Sequence, residues 1–216
     1  MLIESVCEPG ISVLDVGCGF GGDLQKWFKM KVNINMCEPN AEALEEAKRR
    51  AKNMKMRVNF YHGDIRACPN RKYDVVCYNF ALHYIFESRD LFMSTLREVK
   101  RRVKPGGRLI GIIPDSEKII FKTPFRDEMG NFFRMKGTSN GDFGEKLFVH
   151  LCDTPYYADG PKSEPVAHKD MLITHLENMG LLMTHWEGLK GNPISELYSK
   201  FIFTYSRDDS TDTRHR

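Results

Sequence analysis

The sequence has no long hydrophobic run. None of its apolar stretches approaches the roughly 20 residues that cross a bilayer. The first ten residues, MLIESVCEPG, lack the basic segment and the long apolar core of a secretory signal. We therefore expect no membrane span, no membrane partner and an intracellular location.

The sequence also has no Cys-x-x-Cys pair. Its six cysteines are scattered, mostly in apolar stretches, which favours buried, reduced thiols over a metal site or disulfides. The formal net charge of the 216 residues is only +3, so any affinity for nucleic acid must come from a local patch. This length predicts one domain, here placed at 1–206 with an insertion at 118–167, and a disordered polar tail at 207–216.

A glycine-rich turn follows a short apolar strand in ISVLDVGCGFGG, residues 11–22. Gly17, Gly19 and Gly22 fit the dinucleotide pattern GxGxxG, whereas Gly17, Gly19 and Gly21 fit the pattern GxGxG. Both patterns let the backbone lie against a ligand, because glycine has no Cβ. The spacing alone leaves the choice open.

Strands and helices alternate after this turn. Alternation of this kind predicts a doubly wound parallel α/β sheet with its ligand at the carboxyl ends of the strands. The apolar patterns predict strands at 12–14, 32–37, 57–62, 73–78 and 108–113 and helices at 23–29, 41–53 and 91–104, the last stopped by Pro105.

Polar side chains follow several of these strands. Asp15 ends the first, and Glu38 ends the second at about the spacing expected for a residue that binds ribose hydroxyls. Asp64 and Asn79 follow the third and fourth strands. A carboxylate can accept from both ribose hydroxyls at once, although Glu38 could also serve as a charge at a helix N-terminus.

Together, VLDVGCG, Glu38, Gly63-Asp64 and the KPGG turn at 104–107 resemble class I S-adenosylmethionine (SAM)-dependent methyltransferases. The resemblance implies a seventh, antiparallel strand beside the sixth. The run 200–205 (KFIFTY) fits that strand, with 181–186 before it.

Three longer segments resemble the messenger RNA cap guanine-N7 methyltransferases: GCGFGGDLQKW, NFALHYIFES and RVKPGGRLIGIIPDS. The family patterns are GCGKGGDLxKW, QFALHYxFE and LKPGGxFIGTxPD. This chain departs from them at Phe20, which replaces a lysine, at Asn79, which replaces glutamine, and at Glu38, which replaces aspartate. The family also begins with a helix that closes over SAM, whereas about ten residues precede the first strand here, as in a piece of a longer viral capping enzyme.

The resemblance assigns roles residue by residue. The cofactor side, for SAM, comprises Asp15, Gly17, Gly19, Gly21, Asp23, Glu38, Pro39, Asp64, Ile65, Asn79 and Phe80. The cap guanine falls to His83, Tyr84, Pro114, Glu164 and Tyr198. Glu164 stands where the family holds the guanine edge, and Tyr156 is the alternative if the register shifts.

The implied chemistry needs neither a general base nor a metal. Guanine N7 has an in-plane lone pair and no proton to lose, so holding it in line with the methyl carbon suffices. The expected partner is the capped 5′ end of mRNA, with guanylyltransferase or triphosphatase domains or a stimulatory subunit beside it. The location would be the nucleus for a cellular protein, or the host cytoplasm or virion for a viral one.

The insertion mixes basic and aromatic residues in KIIFKTPFRDEMGNFFRMKGTSNGDFG, residues 118–144. This mixture suits RNA beyond the cap, and equally a β-hairpin or flap with solvated charges. Two other functions remain open: a class I methyltransferase for a small molecule or protein, and a non-catalytic SAM-fold subunit.

Overall fold

The computed structural model of the protein describes residues 2–136, 143–191 and 193–206. The strands are β1 (Ser12–Val16), β2 (Asn33–Glu38), β3 (Val58–His62), β4 (Tyr73–Asn79), β5 (Val103–Pro114), β6 (Phe125–Arg126), β7 (Phe132–Lys136), β8 (Lys146–His150), β9 (Lys162–Pro165), β10 (Leu181–Gly188) and β11 (Tyr198–Tyr205). The α-helices are α1 (Leu2–Val6), α2 (Leu24–Met30), α3 (Ala41–Asn53), α4 (Arg89–Arg102), α5 (Ser116–Lys122) and α6 (Lys169–Asn178).

The larger sheet has seven strands in the order β10-β11-β5-β4-β1-β2-β3. Strand β11 pairs antiparallel with both β5 and β10, whereas the pairs among β1 to β5 are parallel. Both the doubly wound sheet and the antiparallel seventh strand predicted from the sequence are confirmed. The strand order reverses between β1 and β4, which places the switch point beside the glycine turn.

Local signals explain where the helices begin. Asn40 caps α3 by accepting a hydrogen bond from the Ala43 amide at 3.0 Å, and Ser88 caps α4 by accepting one from the Leu91 amide at 3.3 Å. Each such cap stabilises a helix by about 1 kcal/mol. The observed bounds of α3 match the predicted helix at 41–53.

The prediction for α4 is wrong at its C-terminal end. The helix ends at Arg102, and Val103 is already extended and paired with Tyr73 of β4. Lys104 precedes Pro105, whose ring disfavours the helical conformation in the residue before it. The KPGG turn is therefore part of the long strand β5, and the helix ends two residues before the predicted position.

The insertion forms a second sheet of four antiparallel strands in the order β6-β7-β8-β9. Its core joins Phe133, Leu147 and Val149 to Tyr198 at the start of β11. The sheet therefore packs against the end of the larger sheet at which the predicted site lies. Part of the predicted insertion, 137–142, and the predicted disordered tail at 207–216 lie outside the described residues.

All six cysteines are free thiols, as predicted. Their predicted burial is wrong for Cys152, which is exposed because it lies in the turn after β8, and Cys18 is only partly buried. None of the described helices is long and apolar enough to cross a bilayer.

Candidate active site

The glycine turn adopts the conformation of the GxGxG pattern. Gly17, Gly19 and Gly21 have φ values of 72°, 53° and 78°, in the left-handed region, whereas Gly22 does not. A Cβ on Gly17 would lie 2.5 Å from the Cβ of Ala81, so only glycine fits there. A Cβ on Gly19 would meet nothing within 4 Å, which leaves open space above the turn.

Glu38 binds the turn with both carboxylate oxygens. Oε2 accepts a hydrogen bond from the Gly19 amide at 2.9 Å, and Oε1 accepts one from the Asn40 amide at 2.9 Å. Two backbone donors fix the carboxylate at the carboxyl end of β2, beside the glycines. Its remaining lone pairs are available to a ligand.

Asp15 is buried beneath the turn, and its Oδ2 accepts a hydrogen bond from Trp27 Nε1 at 2.9 Å. Burial raises the pKa of Asp15 from 3.8 to about 7, and the nearby carboxylate of Asp23 adds to the rise. Near neutral pH this carboxyl group is therefore only partly ionised.

A hydrogen bond between Asn79 and Asp23 joins the end of β4 to the start of α2. Asn79 Nδ2 donates to Asp23 Oδ2 at 2.6 Å, and Lys26 forms an ion pair with the other oxygen of Asp23. The Oδ1 atom of Asn79 is buried and has no hydrogen-bond partner among the described residues. A buried acceptor left without a donor points to a ligand that supplies one.

The remaining cofactor-side residues lie around the same edge. Phe80 is half exposed, with a φ of 56° that is rare for a residue with a side chain, and its amide donates to Ile112 O at 2.8 Å. The Pro39 carbonyl accepts from His62 Nε2 at 2.9 Å. Ile65 is fully buried after β3.

Asp64 already has partners from its own turn. Its side chain accepts from the Arg66 amide at 2.8 Å and forms an ion pair with the Arg66 guanidinium. Arg66 in turn donates to Ser94 Oγ at 2.7 Å. Sequence reasoning missed Arg66, because basic residues in short loops are common and carry no distinctive spacing.

The residues assigned to the guanine side surround Glu164 of β9, whose side chain is buried, with 4% exposed. His83 Nε2 lies 3.0 Å from Oε2, and the hydroxyls of Tyr157 and Tyr84 donate to Oε1 at 2.5 Å and 3.1 Å. Burial by itself raises the pKa of Glu164, but the bonds from His83, Tyr157 and Tyr84 outweigh it and hold the pKa below its usual value. Glu164 is therefore an ionised carboxylate with a fixed orientation.

Tyr156 and Glu164, the two alternatives from the sequence, belong to one cluster. The hydroxyl of Tyr156 lies 2.8 Å from that of Tyr84 at the exposed rim, whereas Glu164 occupies the centre. Tyr157 was missed by sequence reasoning. The short 3-10 helix Pro155–Tyr157 turns Tyr157 inward and Tyr156 outward, and the letters PYY do not show which ring points in.

Phe80 and Tyr198 join the two sides. Their rings meet edge to face at 5.2 Å, and Tyr198 pairs with Pro114 where β11 begins. Burial raises the pKa of the Tyr198 phenol and the nearby charge of Glu164 adds to the rise, so the phenol stays neutral. This contact places the predicted cofactor-side residues, at the carboxyl ends of the larger sheet, next to the guanine-side residues, of which Glu164 belongs to the smaller sheet.

Solved structures place the fold among class I SAM-dependent methyltransferases. A SAM-dependent methyltransferase from Clostridium acetobutylicum aligns with a TM-score of 0.63 over 90% of this chain and 84% of that one, at 17% identity. A protein from Pyrococcus horikoshii aligns with a TM-score of 0.68 over 91% of this chain and 82% of that one, at 14% identity.

The particular family follows from the sequence comparisons. Residues 3–135 match the model of the mRNA (guanine-N(7))-methyltransferase domain, and the chain belongs to that family. The mRNA cap guanine-N(7) methyltransferase of Schizosaccharomyces pombe is 36% identical over 136 residues, 56% of this chain and 38% of the relative. The mRNA cap guanine-N(7) methyltransferase 1 of Oryza sativa is 28% identical over 213 residues, which are 85% of this chain and 57% of the relative. The chain thus spans between 38% and 57% of the length of these two relatives.

Proposed function

We propose that the chain transfers the methyl group of SAM to N7 of the guanine in the GpppN cap of mRNA. The observation that carries the proposal is Glu164, a buried, ionised carboxylate held by three side chains beside the cofactor edge. A carboxylate in that state suits the N1 and N2 hydrogens of guanine, and it favours the positive charge that N7 gains on methylation.

The cofactor side fits SAM in two respects. Gly19 has open space above it, and Asn79 Oδ1 is a buried acceptor without a donor. SAM would supply an electrophilic methyl group on a sulfonium. We assign its binding to the eleven cofactor-side residues predicted from the sequence, with Glu38 for the ribose and Asp64 and Ile65 for the adenine end.

The bonds of Glu164 explain how a guanine edge could be accepted. A carboxylate offers about four acceptor positions, and His83, Tyr157 and Tyr84 occupy three. The hydroxyl of Tyr84 has a single proton, which it can direct to Tyr156 instead. When it does so, each oxygen of Glu164 has one free position, which matches the two hydrogens that guanine presents.

The other guanine-side residues would position the ring. Tyr84 and Tyr198 offer aromatic surface, Pro114 lies opposite Tyr198, and His83 orients Glu164. Because N7 has no proton to lose, these residues need only bind and align it, which is worth several kcal/mol of the barrier. The proposal therefore contains no general base and no metal.

We further propose residues 1–206 as one methyltransferase domain, with 118–167 as its acceptor-side insertion. Its partner would be the capped 5′ end of mRNA, with guanylyltransferase or triphosphatase domains or a stimulatory subunit acting on the same end. Such a protein works inside the cell, in the nucleus if cellular and in the host cytoplasm or virion if viral.

The test uses GpppN-capped RNA, radiolabelled SAM and digestion to locate the label. We expect label on guanine N7, no transfer to a cap already methylated there, and loss of transfer in Glu164→Gln and His83→Ala. Glu117→Gln, which removes an exposed carboxylate paired with Lys169, is the matched control. Transfer to another atom, or full activity of Glu164→Gln, would contradict the proposal.

A further inference from the structure

A groove of about 740 Å³ lies at the opposite end of the larger sheet from the candidate active site. It is bordered by the turns that lead from α2 into β2 and from α3 into β3, at Lys31 and Lys55. The glycine turn and Asp64 lie at the carboxyl ends of the strands, whereas this groove lies at their amino ends. Strands of this length separate the two by roughly 17–20 Å.

Four cations line the groove, namely Lys31, Lys55, Arg57 and Arg71, and no acidic residue does. This local charge exceeds the formal net charge of +3 of the entire chain. Cations near helix C-termini are favoured by the helix dipole, which accounts for Lys31 and Lys55. It does not account for Arg57 or Arg71, which lie away from helix ends.

These four cations also lack the ion pairs that their neighbours form. A carboxylate oxygen lies 3.9 Å or less from the charged nitrogen of each of three neighbouring cations, namely Lys26, Lys29 and Arg50. In the described parts of the chain no carboxylate forms an ion pair with any of the four groove cations. Their charge is therefore available to an external anion.

The groove also offers aromatic and amide groups. Phe28 lines it and is 51% exposed. The exposed Asn59 donates to Oδ1 of the buried Asn35 at 3.0 Å, and Asn35 donates to the Tyr73 hydroxyl at 2.8 Å, which holds the Asn59 amide in place along the wall. Arg71 lies over the ring of Tyr73 at 5.0 Å, with its guanidinium held in place.

We propose that this groove binds single-stranded RNA, with phosphates on the four cations and a base against Phe28. Cations that follow a backbone, together with an exposed ring on which a base can stack, are what sequence-tolerant binding of single strands requires. An acidic protein would use the cations but would not need the exposed ring. The volume is that of a site for a nucleotide-sized ligand.

The experiment measures binding of uncapped oligouridine across a salt series, without SAM, so that it does not depend on the proposed methyl transfer. Lys31→Gln with Arg57→Gln should weaken binding about tenfold at low salt. A plot of log affinity against log salt concentration has a negative slope, and the double variant should make that slope about 1.4 less steep, since each single-strand phosphate contact contributes about 0.7. The control, Arg97→Gln with Lys190→Gln, removes one exposed arginine and one exposed lysine outside the groove and should leave the slope unchanged.

Phe28→Ala separates RNA from an acidic partner. It should weaken binding of oligouridine about tenfold without changing the salt slope, because a base loses its stacking surface but no phosphate loses a cation. Polyglutamate is the comparison ligand and should bind more weakly than oligouridine. An unchanged slope in the Lys31/Arg57 variant would overturn the proposal. The proposal would also be overturned if polyglutamate bound as tightly as oligouridine and Phe28→Ala had no effect on oligouridine binding. That result would identify the groove as a surface for an acidic protein.

Methylation assays add a second readout that depends on the proposed function. The Lys31/Arg57 variant should raise KM for a long capped RNA about tenfold while kcat, and the methylation of a cap dinucleotide too short to reach the groove, stay unchanged. If methyl transfer is absent altogether, the binding series still decides the groove proposal.

Discussion

Two buried carboxylates, one on each side of the candidate site, have pKa values that are shifted in opposite directions. Asp15 is 3% exposed and Glu164 is 4% exposed, so burial alone does not distinguish them. Asp15 has one side-chain donor, Trp27, and lies near Asp23 and Glu38, and its pKa rises to about 7. Glu164 has three donors and lies beside His83, and its pKa falls below the usual value.

Burial raises the pKa of both groups, and it is outweighed only at Glu164, where three donors and the charge of His83 favour the ionised form. The two carboxylates also differ in their charge before a ligand binds. Glu164 on the guanine side is already ionised, because protein groups donate hydrogen bonds to it, whereas Asp15 needs a positively charged ligand to become fully ionised. SAM, with an ammonium and a sulfonium, is a ligand of that kind, while the edge of guanine is a neutral donor.

The largest expected effect comes from Asp15→Asn. A folded-state pKa of about 7 against 3.8 means that the folded chain binds the proton more tightly, so this group costs stability as pH rises from about 4 through 7. Asparagine removes that cost, and at about 1.36 kcal/mol per pKa unit the gain at pH 8 is up to about 4 kcal/mol. Urea unfolding at a series of pH values should show the gain vanish near pH 4.

A matched control is Asp74→Asn. Burial raises the pKa of Asp74, but Lys104 and Ser12 outweigh it and bring the pKa to about 2, so this variant should lose stability at pH 8. An equal gain in stability for Asp15→Asn at pH 5 and pH 8 would contradict the raised pKa of Asp15.

The Asp15→Asn variant should also bind SAM about tenfold or more weakly, because a charge-assisted hydrogen bond is lost.

The second effect in size is that of Glu164→Gln on the reaction. The amide replaces one acceptor oxygen with an NH2 group that can only donate. A hydrogen-bonded, buried charge is therefore lost at a cost of about 3 kcal/mol, and kcat/KM for capped RNA should fall about a hundredfold. SAM affinity, measured by calorimetry, should change less than about twofold, because no cofactor-side residue bonds to Glu164. Weakened SAM binding of the same size as the loss of activity would break the division between the two sides.

A smaller effect is expected from Tyr157→Phe. Removing the hydroxyl that donates to Glu164 Oε1 deletes one of three bonds, worth about 1 kcal/mol, so kcat/KM should fall roughly fivefold. The pKa of Glu164 should rise, because a bond to its charged form is lost, and the acid limb of the pH–rate profile should move to higher pH. Tyr84→Phe, which removes the longer bond of 3.1 Å, serves as the graded comparison.

The smallest expected effect is on acid stability. Because the folded-state pKa of Glu164 lies below its usual 4.5, the group stabilises the fold above that pH and loses this contribution as pH falls through its lowered pKa. The difference in unfolding free energy between the wild-type chain and Glu164→Gln should therefore shrink below about pH 4. A difference that stays constant between pH 7 and pH 3 would show that Glu164 acts through shape rather than charge.

The parallel half of the fold was predictable because its signals are local. Apolar runs ending in glycine, an acid or an asparagine gave β1 to β4 within two residues, and Asn40 marked the start of α3. The β6–β9 sheet depends on long-range pairs such as Leu147 with Glu164, which leave no period in the sequence. The bond between Asn79 and Asp23 and the inward turn of Tyr157 are tertiary as well, so no spacing rule could reveal them.

Strand β11 makes the edge of the site one of the latest parts of this chain to form during synthesis. It follows the other described elements in sequence but lies between β5 and β10, and Ser199 reaches back across 84 positions to bond Asp115. Until β11 leaves the ribosome, β5 has an unpaired edge, and Phe201 has not yet covered Gly111. Nascent chains halted before β11 should therefore recruit chaperones or aggregate, although the glycine turn is already complete.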